Sequence, residues 1–270
     1  MMHAPALTGA ARARMLGCSR TSLYYKSTMQ AKDEALRRRI EEALREHRSY
    51  GHKRLAHYLK VNKKRVRRVM KKYGIKPYRR RGRKYHRSQP QDATYPNLLR
   101  LVTPTYSGCV WAADFTHLSF HGQDVIVATT LDLFDRKIVG ASVSTTHPAR
   151  IVMQAFANGI LSNGRPAIFH SDNGSEYHAK SFRTFLTNLG VAISRSKKGC
   201  PWENGYQESF YNHFKVDLGD PNRFATLGEL TAAIYETLHA YNTTRIHSAL
   251  RMPPAQFTLA HAAATITTVV

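Results

Sequence analysis

Residues 109–144, CVWAADFTHLSFHGQDVIVATTLDLFDRKIVGASVS, decide how the second half of this chain folds. They read as three β-rich runs, 109–117, 124–131 and 136–144, the last following a turn at Phe134–Asp135. Beyond them the pattern changes to alternation. A helix over 149–162 is stopped by Asn163-Gly164, and the apolar run PAIFHSD at 166–172 ends in Asn173-Gly174. A helix over 179–189 is stopped by Gly190, and VAISRS at 191–196 forms the next strand. Three strands on short turns, followed by alternating helix and strand, predict a mixed sheet with helices packed on it. SKKGCPWEN at 196–204 carries loop chemistry; helices are expected from 203 or 204 to 218, and over 226–241.

Charge separates this unit from what precedes it. The 270 residues hold 41 Lys+Arg and 18 Asp+Glu, a net +23. Residues 1–100 contain 28 of the bases and 6 of the acids, whereas residues 101–270 contain 13 and 12. A basic arm on a nearly neutral globular unit points to a polyanionic partner and away from ordinary small-molecule metabolism. Three scattered cysteines, Cys18, Cys109 and Cys200, with no CxxC spacing, argue against a disulfide framework or structural zinc site and fit a reducing cytoplasm. No apolar run has the length of a membrane span, so no membrane partner is expected.

The arm itself reads as helices. Residues 10–26 predict a helix, a break at Gly17 and a second short helix capped by Ser19, a helix-turn-helix-like layout. Further helices are expected over 34–47, 51–59 and from Asn62 to Gly74. In the last, Val66, Val69, Met70 and Tyr73 share a buried face, leaving Lys63, Lys64, Arg67, Arg68, Lys71 and Lys72 outward. Like charges at this spacing repel, and a phosphate backbone relieves that repulsion; the competing reading is a solvated basic face. The stretch YRRRGRKYHR at 78–87, with Arg79, Arg80, Arg81, Arg83 and Lys84, reads as a basic linker that orders on nucleic acid.

Most acids of the second half sit in turns or at helix ends. Asp114 lies inside the first strand, Asp172 closes the fourth, and Glu208 lies within a helix. A carboxylate inside a strand is costly unless it is paired or bound to metal. Two strand-borne Asp and one helix-borne Glu meeting at a sheet are ligands suited to hard Mg²⁺, or Mn²⁺ in its place. A pair of such ions activates a water or 3′-hydroxyl for in-line phosphoryl displacement. On the Glu208 helix, Tyr211, Asn212 and Lys215 share its face, while Phe210 and Phe214 turn to a core. Lys215 is about 20° out of line with Glu208, placed to hold a phosphate unless it is an ordinary solvated lysine. Glu203, about 140° round the helix from Glu208, reads as a first-turn residue, and Glu176, after a Gly turn, as a helix cap. His170 reads as a packed histidine. Arg245 and His247 either touch DNA or close a helix end.

Asp172 and Glu208 have 35 residues between them. This resembles the D,D(35)E signature of retroviral integrases and related transposases. WAADFTHL, LDLFDRKIVG, HSDNGSEY, GCPWENGYQESFYNHFK and YNTTRIHSALRMPPAQF, with SYGHKRLAHYL and VNKKRVRRVMKKYGIKP before them, are similar to the OrfB transposases of insertion-sequence family three over about residues 10–260. The resemblance implies an RNase H-like α/β core with a mixed five-stranded sheet, preceded by an all-α basic region, and two divalent ions held by Asp114, Asp172 and Glu208. The implied division is a helix-turn-helix-like segment at 1–30, a basic helical domain at 31–77, a basic linker at 78–105, the core at 106–222, and a C-terminal helix and tail at 223–270.

The activity implied is binding of double-stranded DNA at the ends of a mobile element, strand cleavage and strand transfer by an oligomer of at least two copies. A basic residue at the position of Lys215 contacts terminal DNA in that family. Its members are often made as frameshift fusions with an upstream protein bearing a leucine zipper, which is therefore a further expected partner, although no sustained heptad pattern is present here; nor is the retroviral type of zinc-binding N-terminal domain. An RNase H-like nuclease or resolvase that does not join, and an inactive DNA-binding regulator, are the alternatives. The tail HAAATITTVV has no role derivable from its residues.

Overall fold

The computed structural model describes residues 8–24, 29–78, 95–146, 148–172, 174–196 and 204–267. Helix α1 (Gly9–Met15) begins where the Thr8 hydroxyl accepts from the Ala11 N–H. The second short helix expected after Gly17 is only a single 3-10 turn, Ser22–Tyr24, its first N–H held by Ser19 Oγ at 3.2 Å. Helices α2 (Met29–Glu46), α3 (His52–Tyr58) and α4 (Lys63–Lys72) form a small bundle around Leu36, Ile40, Tyr50, Leu55, Val66 and Val69. Asn62 caps α4 by accepting from Lys64 N at 2.8 Å, and Gly74, at φ 66°, ends it in the left-handed region that a side chain disfavours.

The core is a five-stranded sheet among the described residues, ordered β3-β2-β1-β4-β5. β1 (Val110–Phe120), β2 (Gln123–Asp132) and β3 (Ile138–Ser144) pair antiparallel, whereas β4 (Ile168–Ser171) and β5 (Ala192–Arg195) join parallel to β1. This is the RNase H-like mixed sheet that the sequence implied. The first hairpin is longer than its apolar runs because Leu118 and Phe120 alternate inward with exposed His117 and Ser119. His121 and Gly122, both at positive φ, supply the tight turn whose twist matches the strands.

Period-two alternation sends side chains of β1 to opposite layers. Val110 and Ala112 pack with Phe210, Phe214, Leu230 and Ile234 of α7 (Gly205–Leu218) and α8 (Leu227–Thr243). Trp111 and Ala113 pack with Ile151 and Phe156 of α5 (Pro148–Asn163) and with Phe182 and Leu186 of α6 (Lys180–Asn188).

The underived tail continues a helix, α9 (Pro254–Thr267), tied down where Thr258 Oγ1 donates to Asp135 at 2.6 Å. Asp132 and Asp135, read as turn acids, are fully buried: Asp132 accepts from Gly108 N, Phe134 N and the Trp111 indole, and Asp135 from Lys137 N. The bundle docks on the core through Ser49 Oγ to Asp217 at 3.0 Å, and Tyr50 Oη, which accepts from Ile246 N at 2.7 Å. No helix among the described residues is long and apolar enough to cross a membrane.

Candidate active site

Strand register brings the first two acids together. Val110 pairs with Ile168, Trp111 with Phe169 and Ala112 with His170. Two residues beyond the last pair on each parallel strand come Asp114 and Asp172, level with one another and, by alternation, on the α7 side of the sheet. Asp114 is half-buried; its Oδ1 accepts from Phe115 N at 2.8 Å and its Oδ2 from Asn204 Nδ2 at 3.3 Å. Asp172 Oδ1 accepts from Gly174 N at 3.0 Å.

Glu208 is carried across β1 by its own helix. Gln207 donates to the Ala112 carbonyl at 2.6 Å and Tyr211 Oη to the Asp114 carbonyl at 2.7 Å, so two side chains one turn apart pin α7 across β1 with Glu208 between them. Glu208 is exposed, and partial burial raises its pKa. Tyr211 is therefore not on the open face shared with Glu208 but buried against the sheet, its hydroxyl 2.9 Å from Thr129 Oγ1.

Burial and mutual repulsion act on the carboxyls gathered here. Burial, then the charges of Asp172, Glu208 and Glu176, push the Asp114 carboxyl up to about 8, against a stabilising bond from Phe115 N. Asp172 is raised by burial and Glu176, with opposing help from Gly174 N, Arg195 and His178. Tyr177 Oη is fully buried, has no hydrogen-bond partner among the described residues, and is raised well above its usual range by burial and by Asp114 and Asp172.

The donor set, three carboxylates and no sulfur or imidazole, has the chemistry a hard divalent ion takes. Among the described residues no three His, Cys, Asp or Glu side chains are gathered so that they could hold a metal ion.

Comparison with known proteins decides the family. Two integrase core domain models match residues 104–201 and 189–254. The transposase for insertion sequence element IS904 of Lactococcus lactis subsp. lactis (strain IL1403) is 31% identical over 237 residues, 83% of this chain and 93% of that one. This chain belongs to the DDE transposase and integrase family. The transposase InsF for insertion sequence IS3A of Escherichia coli (strain K12) is 28% identical over 141 residues, 51% of this chain and 49% of that one. The HTLV-2 integrase catalytic core domain in complex with magnesium superposes with a TM-score of 0.45 at 20% identity, covering 58% of this chain and 99% of that structure.

The remaining residues singled out in this transposase-family chain fall in different places. Lys63, Lys64, Arg67 and Lys71 are exposed along α4. Arg68 and Lys72, also exposed, are in addition tied to α2: Arg68 makes a two-point bridge to Asp33 and Lys72 adds a bond at 3.1 Å, which holds that buried carboxyl down at about 2. Arg79, Arg80, Arg81, Arg83, Lys84 and Glu203 lie outside the described residues. Lys215 Nζ donates to the His117 carbonyl at 2.9 Å and lines a groove with Arg48 and Tyr78. Arg245 is buried between bundle and core, bonding Asp217 at 2.7 Å and Ser49 at 3.0 Å. His170 is fully buried beside Ser194.

Sequence reasoning set Glu176 aside as a cap. The 3-10 turn Ser175–His178 turns it back instead: a Cβ on Gly174 would lie 2.6 Å from Glu176 Oε2 and 3.0 Å from Asp172 Oδ1, so both oxygens crowd one point. Asn204, Gln207, Tyr177 and Tyr211 were not singled out as supports, although all lie within the quoted HSDNGSEY and GCPWENGYQESFYNHFK blocks.

Proposed function

We propose that Asp114, Asp172 and Glu208 are the catalytic acids of this transposase, cutting DNA at the ends of a mobile element and joining the freed 3′-hydroxyl to another phosphate. The observation that supports the reading is that Asp114 in β1 and Asp172, just past the end of the parallel neighbour β4, lie near enough for the Asp172 charge to raise the Asp114 carboxyl, while α7, which bears Glu208, is fastened across β1. Asp114, Asp172 and Glu208 would hold Mg²⁺ or Mn²⁺, two ions in all, which when bound supply Lewis-acid activation of a water or hydroxyl and stabilise the leaving oxygen. The chain's own part is positioning. Asn204 and Phe115 N orient Asp114, Gly174 N orients Asp172, and Gln207 with Tyr211 sets the height of Glu208 above the sheet. The exposed cations of α4 neutralise backbone phosphates of double-stranded DNA, and the linker bases extend that footprint. Two DNA ends must be held together, which calls for at least two copies; a protein from an upstream frame is a further candidate partner. The compartment is that of the DNA, the cytoplasm of a bacterial-type cell.

The test uses labelled duplexes carrying the sequences that flank this gene, with Mg²⁺ or Mn²⁺, and three variants: Asp114→Asn, Asp172→Asn and Glu208→Gln. Each is expected to lose cleavage and joining by roughly a hundredfold or more, with DNA binding retained. Cleavage that survives all three substitutions overturns the assignment. Hydrolysis without joined products supports a nuclease instead, and binding without cleavage by the unaltered chain supports a regulator.

A further inference from the structure

Where the α2–α4 bundle meets the core, arginines from three separate elements converge on one cavity. Arg54 comes from α3, Arg136 from the turn between β2 and β3, and Arg245 from the segment after α8. With His213, His247 and Tyr206 they line about 390 Å³. This is not the acidic site: His213 lies five residues beyond Glu208 on α7, about 140° round the helix.

Arg245 is 3% exposed. Its Nε and Nη2 are occupied by Asp217 and Ser49, but its Nη1 is buried without a partner. Arg54 Nε, Arg136 Nη1 and His247 Nδ1 are likewise buried and unbonded. Arg136 lies over the Tyr206 ring, 4.1 Å from its centroid, and Arg54 Nη2 donates to His213 Nε2 at 3.3 Å. Asp217, the carboxylate bonded to Arg245, is shared with Ser49 and does not line the cavity. The cavity lining holds three arginines and no carboxylate, and burial, then the neighbouring Arg245, pull Arg54 down to about 10.

We propose that this pocket binds a phosphate group. Unpaired guanidinium N–H groups in a buried site are costly, and three of them arriving from different directions match an oxyanion with several acceptor oxygens better than a planar carboxylate with two. A phosphate seated there ties α3, the β2–β3 turn and the segment after α8 to one point, fixing the bundle against the core. Its source is either the backbone of a DNA strand crossing the joint or a free phosphate. The pocket stands on its own geometry; only the DNA source rests on the transposase reading.

The test uses the full chain, inorganic phosphate, and a short duplex of element-end sequence. The variants are Arg136→Gln, which breaks no ion pair among the described residues, and Arg54→Gln. Millimolar phosphate, compared with chloride at equal ionic strength, is expected to raise the Tm of the unaltered chain and to leave both variants unmoved. If DNA is the source, Arg136→Gln also weakens duplex binding by roughly tenfold and lowers the slope of log Kd against log salt by about 1. If free phosphate is the source, the Tm response is lost and duplex binding is unchanged. Folded variants that respond to phosphate and bind duplex like the unaltered chain overturn the pocket. These readouts involve no cleavage, so failure of the catalytic assignment registers separately.

Discussion

The hydroxyl of Tyr211 donates to the main-chain carbonyl of Asp114 at 2.7 Å, so the helix bearing one acid is fastened to the strand bearing another. Tyr211 lies three residues from Glu208, on the same helical turn. Tyr211→Phe keeps the ring in its core and removes only the tether. We expect a loss of about 1–2 kcal/mol in urea unfolding, the cost of leaving buried polar groups short of a partner. Because the hydroxyl touches no substrate, it is a positioning group: kcat for strand cleavage should fall while KM for the duplex holds. A rise in KM at constant kcat would argue against that role.

Gly174 is required by space, not by backbone angle, since its φ of −68° suits any residue. A Cβ there meets Glu176 Oε2 at 2.6 Å and Asp172 Oδ1 at 3.0 Å. Gly174→Ala should fold, because both obstacles are side-chain ends that can swing away. Asp172 then leaves its level with Asp114, and cleavage is expected to drop by roughly ten- to a hundredfold, since small displacements of reacting groups are costly. Unaltered cleavage at unaltered Tm would show that Asp172 does not need its present orientation.

Asp114 and Asp172 were legible because a carboxylate within or at the end of an apolar strand needs a reason, and because strand alternation assigns both to one face. Glu208 was legible only through its spacing from Asp172 and the surrounding motif. What the residues could not reveal is direction. Helical periodicity puts Tyr211 beside Glu208, but only contact with β1 and β2 shows that the sheet lies under that flank of α7. The same ambiguity hid Arg68: periodicity turned it outward, and nothing local announces that Asp33, from another helix, will claim it. Asp135 looks like a turn residue because it is one, and Asp132 closes β2 just before that turn; nothing local announces that Trp111 will bond the one and Thr258, from the far end of the chain, the other.

Packing of α5 on the sheet leaves no room at Gly140 in β3. An added Cβ would stand 2.0 Å from the Ala155 carbonyl oxygen and 2.7 Å from Gly159 N, both backbone atoms that cannot rotate away. Gly140→Ala must therefore lift the helix from the strand, and we expect destabilisation of about 3 kcal/mol or more by urea unfolding. A control at the open Gly51, where a Cβ meets nothing within 4 Å, should cost far less. Equal midpoints for the two variants would contradict the close approach.

The joint between bundle and core should also be sensitive to acid. Burial first, and then the surrounding arginines, hold His213 down at about 3 and His247 at about 4, against 6.5 for a free imidazole. Between pH 6.5 and 4 the unfolded chain protonates these two imidazoles while the folded chain refuses the protons, so their contribution to stability is greatest above 6.5 and declines as pH falls, against an opposite contribution from the raised carboxyls of Asp114, Asp172 and Glu208, which grows over the same interval. Asp33, held at about 2 against an ordinary 3.8, continues the decline below pH 4, where the unfolded carboxyl protonates before the folded one. Urea midpoints taken at half-unit steps from pH 7.5 to 4.5 test the histidine phase. His213→Gln should flatten that phase by removing one of its two titrating groups. The same pH dependence in His213→Gln as in the unaltered chain would mean that this imidazole accepts its proton in the folded state, despite its burial and the arginines beside it.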